Sequence, residues 1–122
     1  MQISLIHNPS AGDKQPTAED LHEILAGAGF QVRYASTKKD WKNALDGRSD
    51  LVVAAGGDGT VAKVIREMAG ARTPVALLPL GTANNIARTL GIVGDARVMA
   101  AGWRLAAVQP FDVGVLRTRW GE

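Results

Sequence analysis

The residues with the clearest chemical use are Gly56, Gly57, Asp58, Gly59 and Thr60, followed by Val61 and Ala62. An apolar run, Leu51-Val52-Val53-Ala54-Ala55, leads into them, and a helical pattern follows. A strand, a glycine turn and a helix start, in that order, is how α/β proteins hold phosphates. Glycine lets the backbone take positive φ and approach a ligand closely. The helix start offers N–H groups at the positive end of its dipole. A carboxylate among the glycines adds a handle for a metal ion or a proton. In phosphoryl transfer such a group helps to hold Mg2+ or accepts the proton of the attacking hydroxyl. The same aspartate could instead bond neighbouring N–H groups and only shape the loop.

Further stretches carry residues suited to the same task. Asn8-Pro9-Ser10-Ala11-Gly12 breaks the first apolar run, with small side chains and backbone donors where a phosphate could sit. A plain β-to-α connection would read the same way. Pro79-Leu80-Gly81-Thr82-Ala83-Asn84-Asn85 follows the apolar Val75-Ala76-Leu77-Leu78 and is the expected second wall of the cleft. Ser36 and Thr37 close an alternating run, Gln31-Val32-Arg33-Tyr34-Ala35. Hydroxyls there lie on the side where open α/β sheets bind ligands; a solvated loop is the other reading. His7 ends the first strand near the glycine turn, where a structural role is expected. His22 falls off the apolar stripe of its helix and reads as solvated.

The elements that must position these residues alternate along the chain. Ile3 to Ile6 is expected to be a central strand. Thr17 is placed to cap a helix with Glu19 and Asp20 in its first turn and Leu21, Ile24, Leu25 and Ala28 as its stripe. Gly29 ends it. The alternating run from Gln31 predicts a strand with one wetter face, nearer a sheet edge. Asp40 is expected to cap a short helix carrying Trp41, Ala44 and Leu45, ending at Gly47. The fully apolar run from Leu51 predicts a strand covered on both faces. Val61, Val64, Ile65 and Met68 then form one face of a helix that stops at Gly70. A helix with Ile86, Ala87 and Leu90, another opened by Asp95, and a last strand at Phe111-Asp112-Val113-Gly114-Val115-Leu116 are expected to follow. Strands alternating with helices point to an α/β fold, a doubly wound, mostly parallel sheet with helices on both faces. The glycine-bearing loops should then meet in one crevice at the strands' C-terminal ends.

Composition narrows the function. A chain of 122 residues, 46% hydrophobic and 21% charged, suits one globular domain over residues 1–122. The net charge of +2 does not argue for nucleic acid, and the basic residues do not gather with aromatics. With no cysteine there is neither a disulfide framework nor a thiolate zinc site. The N-terminus has no basic region before its apolar run, so it does not read as a signal peptide. No apolar run reaches the ~18 residues of a membrane span. These features describe a soluble, cytoplasmic domain.

Three phosphate chemistries can be compared with the motif. Gly57-Asp58-Gly59-Thr60-Val61-Ala62 fits the dinucleotide pattern, but that reading needs an acidic residue ~20 positions on. None stands between Glu67 and Asp95. A carboxylate in the phosphate loop would also repel a pyrophosphate unless a metal lay between them. A Walker A motif is absent, because Lys63 follows an alanine and is followed by valine. The protein-kinase signatures are absent too.

Asn8-Pro9-Ser10-Ala11-Gly12, Gly56-Gly57-Asp58-Gly59-Thr60 and Pro79-Leu80-Gly81-Thr82-Ala83-Asn84-Asn85-Ile86-Ala87 together resemble, in order and spacing, the diacylglycerol kinase catalytic domain family. That family includes bacterial lipid kinases and sphingosine kinases. Arg88-Thr89-Leu90-Gly91-Ile92 continues the likeness, and Phe111-Asp112-Val113-Gly114 resembles the family's hinge into a second domain. The resemblance implies an ATP site between the glycine turn and the Gly81-Thr82 loop, with Mg2+, and transfer of the γ-phosphate to a lipid hydroxyl at a membrane surface. Asp58 matches the family's aspartate, assigned to catalysis or to nucleotide and metal binding. Thr60 and Thr82 match nucleotide-site threonines. Thr37 matches a third, with Ser36 as the alternative register. The family often has Asn-Asp where this chain has Asn84-Asn85, which removes a metal ligand or helix cap, although sphingosine-type members lack that aspartate as well. The family's second, β-rich domain, which completes the lipid site, is not in this chain. A non-catalytic nucleotide-binding module and a soluble-substrate kinase of the NAD kinase type remain alternatives. Apolar residues from Val108 to Leu116, with Trp120, are expected to drive self-association into a homodimer.

Overall fold

The structure is a computed structural model that describes residues 2–10 and 17–80. Within them the chain runs β1 (Gln2–His7), α1 (Ala18–Gly27), β2 (Gln31–Ser36), a 3-10 turn (Lys42–Ala44), β3 (Leu51–Gly56), α2 (Asp58–Met68) and β4 (Val75–Pro79). The strands form one parallel sheet in the order β2-β1-β3-β4.

The two-residue period of the strands divides the core into two layers. Ile3 and Leu5 of β1 and Leu51, Val53 and Ala55 of β3 face one side, where Leu21 and Leu25 of α1 and Phe30 cover them. Ile6, Val52, Ala54 and Leu77 face the other side, under Val61 and Val64 of α2 and under Trp41 and Ala44. Each helix therefore buries its stripe on a different face, as the doubly wound reading expects. Leu5, Leu21 and Leu25 are each 0% exposed, and burying each is worth about 1.5–3 kcal/mol. Every residue of β3 is buried, whereas β2 is half-exposed at one end of the described sheet. The continuous and alternating patterns thus mark centre and edge.

Local signals fix the helix ends. The Thr17 side chain accepts from the Asp20 N–H while the Asp20 carboxylate accepts from the Thr17 N–H, a complete capping box. Gly29 and Gly70, with φ of 94° and 82°, turn the chain out of α1 and α2. The expectation for Asp40 needs correction. The short turn has Trp41 at its N-cap with no side-chain cap, and the Asp40 carboxylate instead accepts from the Asn43 side-chain amide at 2.9 Å. One turn of 3-10 geometry competes poorly with such a local side-chain bond. Ser4, 0% exposed, is satisfied by donating to the Ala44 carbonyl at 2.8 Å and by pairing with Ser49 at 2.6 Å. These bonds tie the turn to β1. The helices and strand expected beyond Leu80, and the C-terminal residues expected to self-associate, lie outside the described residues. Among the described residues no helix is long and apolar enough to cross a membrane.

Candidate functional site

Strand order alone picks out one place. From β1 the chain crosses to β2 on one side, then returns past β1 to β3 and β4 on the other. The order reverses between β1 and β3, and α1 and α2 leave those strands onto opposite faces. In open α/β sheets the crevice at such a reversal, outside the C-terminal strand ends, is where ligands sit.

Three backbone bonds extend the sheet's ladder and line up the exits of its strands. The Thr37 N–H donates to the His7 carbonyl at 2.9 Å, the Asn8 N–H to the Ala55 carbonyl at 3.0 Å, and the Leu80 N–H to the Gly56 carbonyl at 2.9 Å. Thr37, Asn8, Gly57 and Leu80 therefore stand side by side along one edge of the sheet. Asn8 is half-buried, and its side-chain oxygen accepts from the Ser10 N–H at 3.0 Å, a turn that leaves Pro9 and Ser10 exposed. The Ser36 hydroxyl accepts from the Lys38 N–H at 3.1 Å. Thr37, half-buried, has no side-chain hydrogen bond among the described residues, so of the two registers it offers the freer hydroxyl.

The glycine motif is not the loop expected from sequence. Helix α2 begins at Asp58, so Asp58, Gly59 and Thr60 form its first turn and Gly57 is the N-cap. None of Gly56, Gly57 and Gly59 has positive φ; Gly57 has φ −86° and ψ −169°. The glycines serve by lacking a side chain. A methyl group at Gly56 would stand 2.7 Å from Thr60 Oγ1, 2.8 Å from its Cβ and 3.1 Å from its Cγ2. Thr60, 5% exposed, thus packs directly on the backbone of Gly56. Gly59 is exposed, and a methyl there would meet nothing within 4 Å.

The two helix starts at this edge differ. The first turn of α1 is closed by its own threonine and aspartate, whereas α2 has a glycine N-cap with no side-chain bond. Its first intrahelical bond, from the Val61 N–H to the Gly57 carbonyl, is 3.1 Å. The preceding N–H groups of a helix lack intrahelical acceptors, and here no N-cap side chain covers them. Half-buried Asp58 stands at this end of the helix. Val61 is buried in the core and Ala62 packs against it, so both side chains turn toward the sheet. Ala11, Gly12, Gly81, Thr82, Asn84 and Asn85 lie outside the described residues.

Sequence reasoning missed one contact of this edge. His7, 2% exposed, shares a 2.8 Å hydrogen bond through Nδ1 with the Tyr34 hydroxyl. Burial holds the imidazole below its usual pKa and raises that of the phenol, which a bond with Ser36 partly offsets. No local signal could have shown it: only the register of β2 on β1 brings Tyr34 and Ser36, two apart and on one face, beside the end of β1.

Comparison with known proteins identifies the family. The family model described as diacylglycerol kinase catalytic domain matches residues 2–116. A Bacillus subtilis diacylglycerol kinase is 31% identical, the match covering 90% of this chain and 40% of the relative. A Pseudomonas aeruginosa protein named "Probable lipid kinase YegS-like" is 34% identical over 93% of this chain and 39% of its own. The crystal structure of a diacylglycerol kinase from Bacillus anthracis superposes with a TM-score of 0.68 at 28% identity, covering 89% of this chain and 41% of that one. The chain thus spans about two-fifths of the length of these relatives. The match runs through all four strand exits and the helix start that Gly56 and Gly57 leave open, and on it the chain belongs to the diacylglycerol kinase catalytic domain family.

Proposed function

We propose that the chain is the nucleotide-binding part of a lipid kinase that transfers the γ-phosphate of ATP to a lipid hydroxyl of the diacylglycerol or sphingoid type. The observation that carries this reading is the start of α2 at the reversal of strand order, with a glycine N-cap and no side-chain cap. Anionic phosphates are stabilised there by backbone N–H groups and by the helix dipole. Gly56 lets Thr60 pack tightly beneath the turn, and Gly59 leaves space above it. Asn8, Pro9 and Ser10 flank the phosphates from the β1 side, and Thr37 offers its hydroxyl from the next exit. Ala11, Gly12, Gly81, Thr82, Asn84 and Asn85, outside the described residues, are assigned to the same nucleotide by the family resemblance.

The donor set suits Mg2+. Among the described residues there is no group of three or more His, Cys, Asp or Glu that could cage a metal, but Mg2+ is commonly held by one or two carboxylates together with substrate phosphates and water. Asp58 is the residue that would hold it, and the ion would neutralise phosphate charge. Asp58 is alternatively the acceptor of the lipid hydroxyl's proton as the oxygen attacks. The names of the curated relatives support a lipid acceptor. Such an enzyme works in the cytoplasm at a membrane surface.

The test is a kinase assay of the full-length protein with labelled ATP, Mg2+ and mixed lipid vesicles. A labelled phospholipid is expected. Phosphorylation of NAD but not of lipid would replace this reading by a soluble-substrate kinase. ATP binding without turnover on either substrate would leave a non-catalytic nucleotide module. No ATP binding at all would overturn the site.

A further inference from the structure

The His7–Tyr34 pair is not needed by the core. Buried parallel strands are ordinarily filled by aliphatic residues, and a buried imidazole is costly unless hydrogen-bonded. His7 is 2% exposed, and its side-chain bond among the described residues is the one to Tyr34. Tyr34 in turn is the large apolar residue left exposed among the described residues, at 41%, on strand β2. The pair sits where two site loops begin. The His7 carbonyl receives the Thr37 N–H, and the next residue, Asn8, bonds Ala55. Ser36, two residues beyond Tyr34 on the same face of β2, accepts the Lys38 N–H at its hydroxyl across the turn that carries Thr37. The Tyr34–His7 bond therefore stands beside the start of both the Thr37 turn and the Asn8-Pro9-Ser10 loop.

We infer that His7 and Tyr34 are positioning residues of the nucleotide site, whose shared hydrogen bond sets the spacing between the Thr37 turn and the Asn8-Pro9-Ser10 loop and so sets ATP affinity. The inference rests on the nucleotide reading above. The parallel ladder holds β2 on β1 as far as His7 and Ser36, and beyond it the main-chain tie is the Thr37 bond, so the His7–Tyr34 bond is the side-chain contact that fixes how the two loops leave these strands. Backbone spacing matters at a site built of N–H groups, because their hydrogen bonds to a phosphate weaken outside about 2.7–3.2 Å.

The test is ATP affinity by calorimetry on the full-length protein, with thermal stability measured in parallel. Tyr34→Phe removes the hydroxyl and keeps the ring. It is expected to weaken ATP binding by roughly 3- to 10-fold, the scale of one hydrogen bond, and to lower Tm as well, since the buried imidazole loses its partner, so affinity is read per folded molecule. His7→Leu is expected to weaken it equally, and Tyr34→Phe combined with His7→Leu no further. His7→Asn, whose amide stands near the position of Nδ1 and can still meet the phenol, is expected to recover affinity relative to His7→Leu. If wild type binds ATP and Tyr34→Phe binds it equally well, the inference is overturned and the nucleotide reading stands. If the variants lose only stability, with affinity per folded molecule unchanged, the pair is structural and the inference is again overturned. If wild type binds no ATP, both fall.

Discussion

Gly56→Ala is the sharpest perturbation the structure offers. The added methyl meets three atoms of Thr60, at 2.7, 2.8 and 3.1 Å. Rotating the threonine moves Oγ1 and Cγ2 but not Cβ, which is fixed to the helix backbone. The 2.8 Å contact with Cβ therefore persists in every rotamer. Ordinary carbon–carbon contact needs α2 and β3 to separate by about 0.6 Å. Val61 and Val64 of the same helix are packed on β3 and resist that shift. Overpacking of this kind costs about 1–3 kcal/mol, which for a domain of this size lowers Tm by roughly 4–12 °C. ATP affinity is expected to fall as well, because the displaced element is the helix start proposed to hold the phosphates. Thr60→Ala in the same chain removes two of the three clashing atoms and is expected to restore only part of the loss. Gly59→Ala is the internal control. Its methyl meets nothing within 4 Å, and alanine in a helix is favoured over glycine by about 0.5–1 kcal/mol, so stability is expected to rise while ATP binding weakens. Calorimetric melting and ATP titration of the variants decide the matter. A Gly56→Ala protein with unchanged Tm would refute the packing argument, and one with unchanged ATP affinity would refute the role given to the α2 start.

Other expectations are simpler to state. Asp58→Asn in the full-length enzyme should lower kcat by roughly 10²-fold or more, with stability changed by only about 0.3–1 kcal/mol from the lost helix-dipole interaction; near-normal turnover in a kinase assay would reduce Asp58 to a structural residue. Thr17→Ala removes the capping box and should cost about 1 kcal/mol in urea unfolding, with ATP affinity intact, because α1's start is closed to ligands. Burial holds the His7 pKa below its ordinary value of 6.5, so the unfolded chain takes up a proton more readily than the folded one. His7 therefore contributes stability that is complete above pH ~6.5 and declines as pH falls toward the lowered folded value. Urea midpoints measured from pH 7.5 downward should show that decline in wild type and a shallower one in His7→Asn; identical slopes would rule out His7 as its source.

What the sequence disclosed follows from how far each signal reaches. The unbroken apolar run at β3 and the alternating run at β2 report burial on two faces or one, so the centre and edge of the sheet were legible. The Thr17 cap and the glycines after α1 and α2 act over a few residues and were read correctly, while the reciprocal Asp20 bond to the Thr17 N–H came from the structure. The start of α2 was displaced in the reading because glycine is a poor helix former, and Asp58-Gly59 suggested a loop. Tertiary packing overrode that preference: with Gly56 bare, Thr60 can sit on the strand and the helix can begin at Asp58. Ser4–Ser49 and His7–Tyr34 were invisible for another reason. Their partners are 45 and 27 residues apart, and no local pattern encodes such a pairing until the strand register is known.

The way this end of the sheet is built also asks little of particular side chains. A cradle of backbone N–H groups needs few particular side chains; it needs positions where side chains are absent. Gly56 is required by the packing of Thr60, Gly57 by the open N-cap and Gly59 by the space above the first turn. The remaining geometry comes from the parallel ladder, which aligns Thr37, Asn8 and Leu80 with the strand exits by main-chain bonds. Main-chain bonds do not depend on residue type, so the rest of the sheet can vary while its pattern of burial is kept. Such a sheet is compatible with the modest identity, 28–34%, at which the family relatives match this chain. On the inference drawn for His7, side chains such as Tyr34, beside the strand exits, tune the site without being part of it.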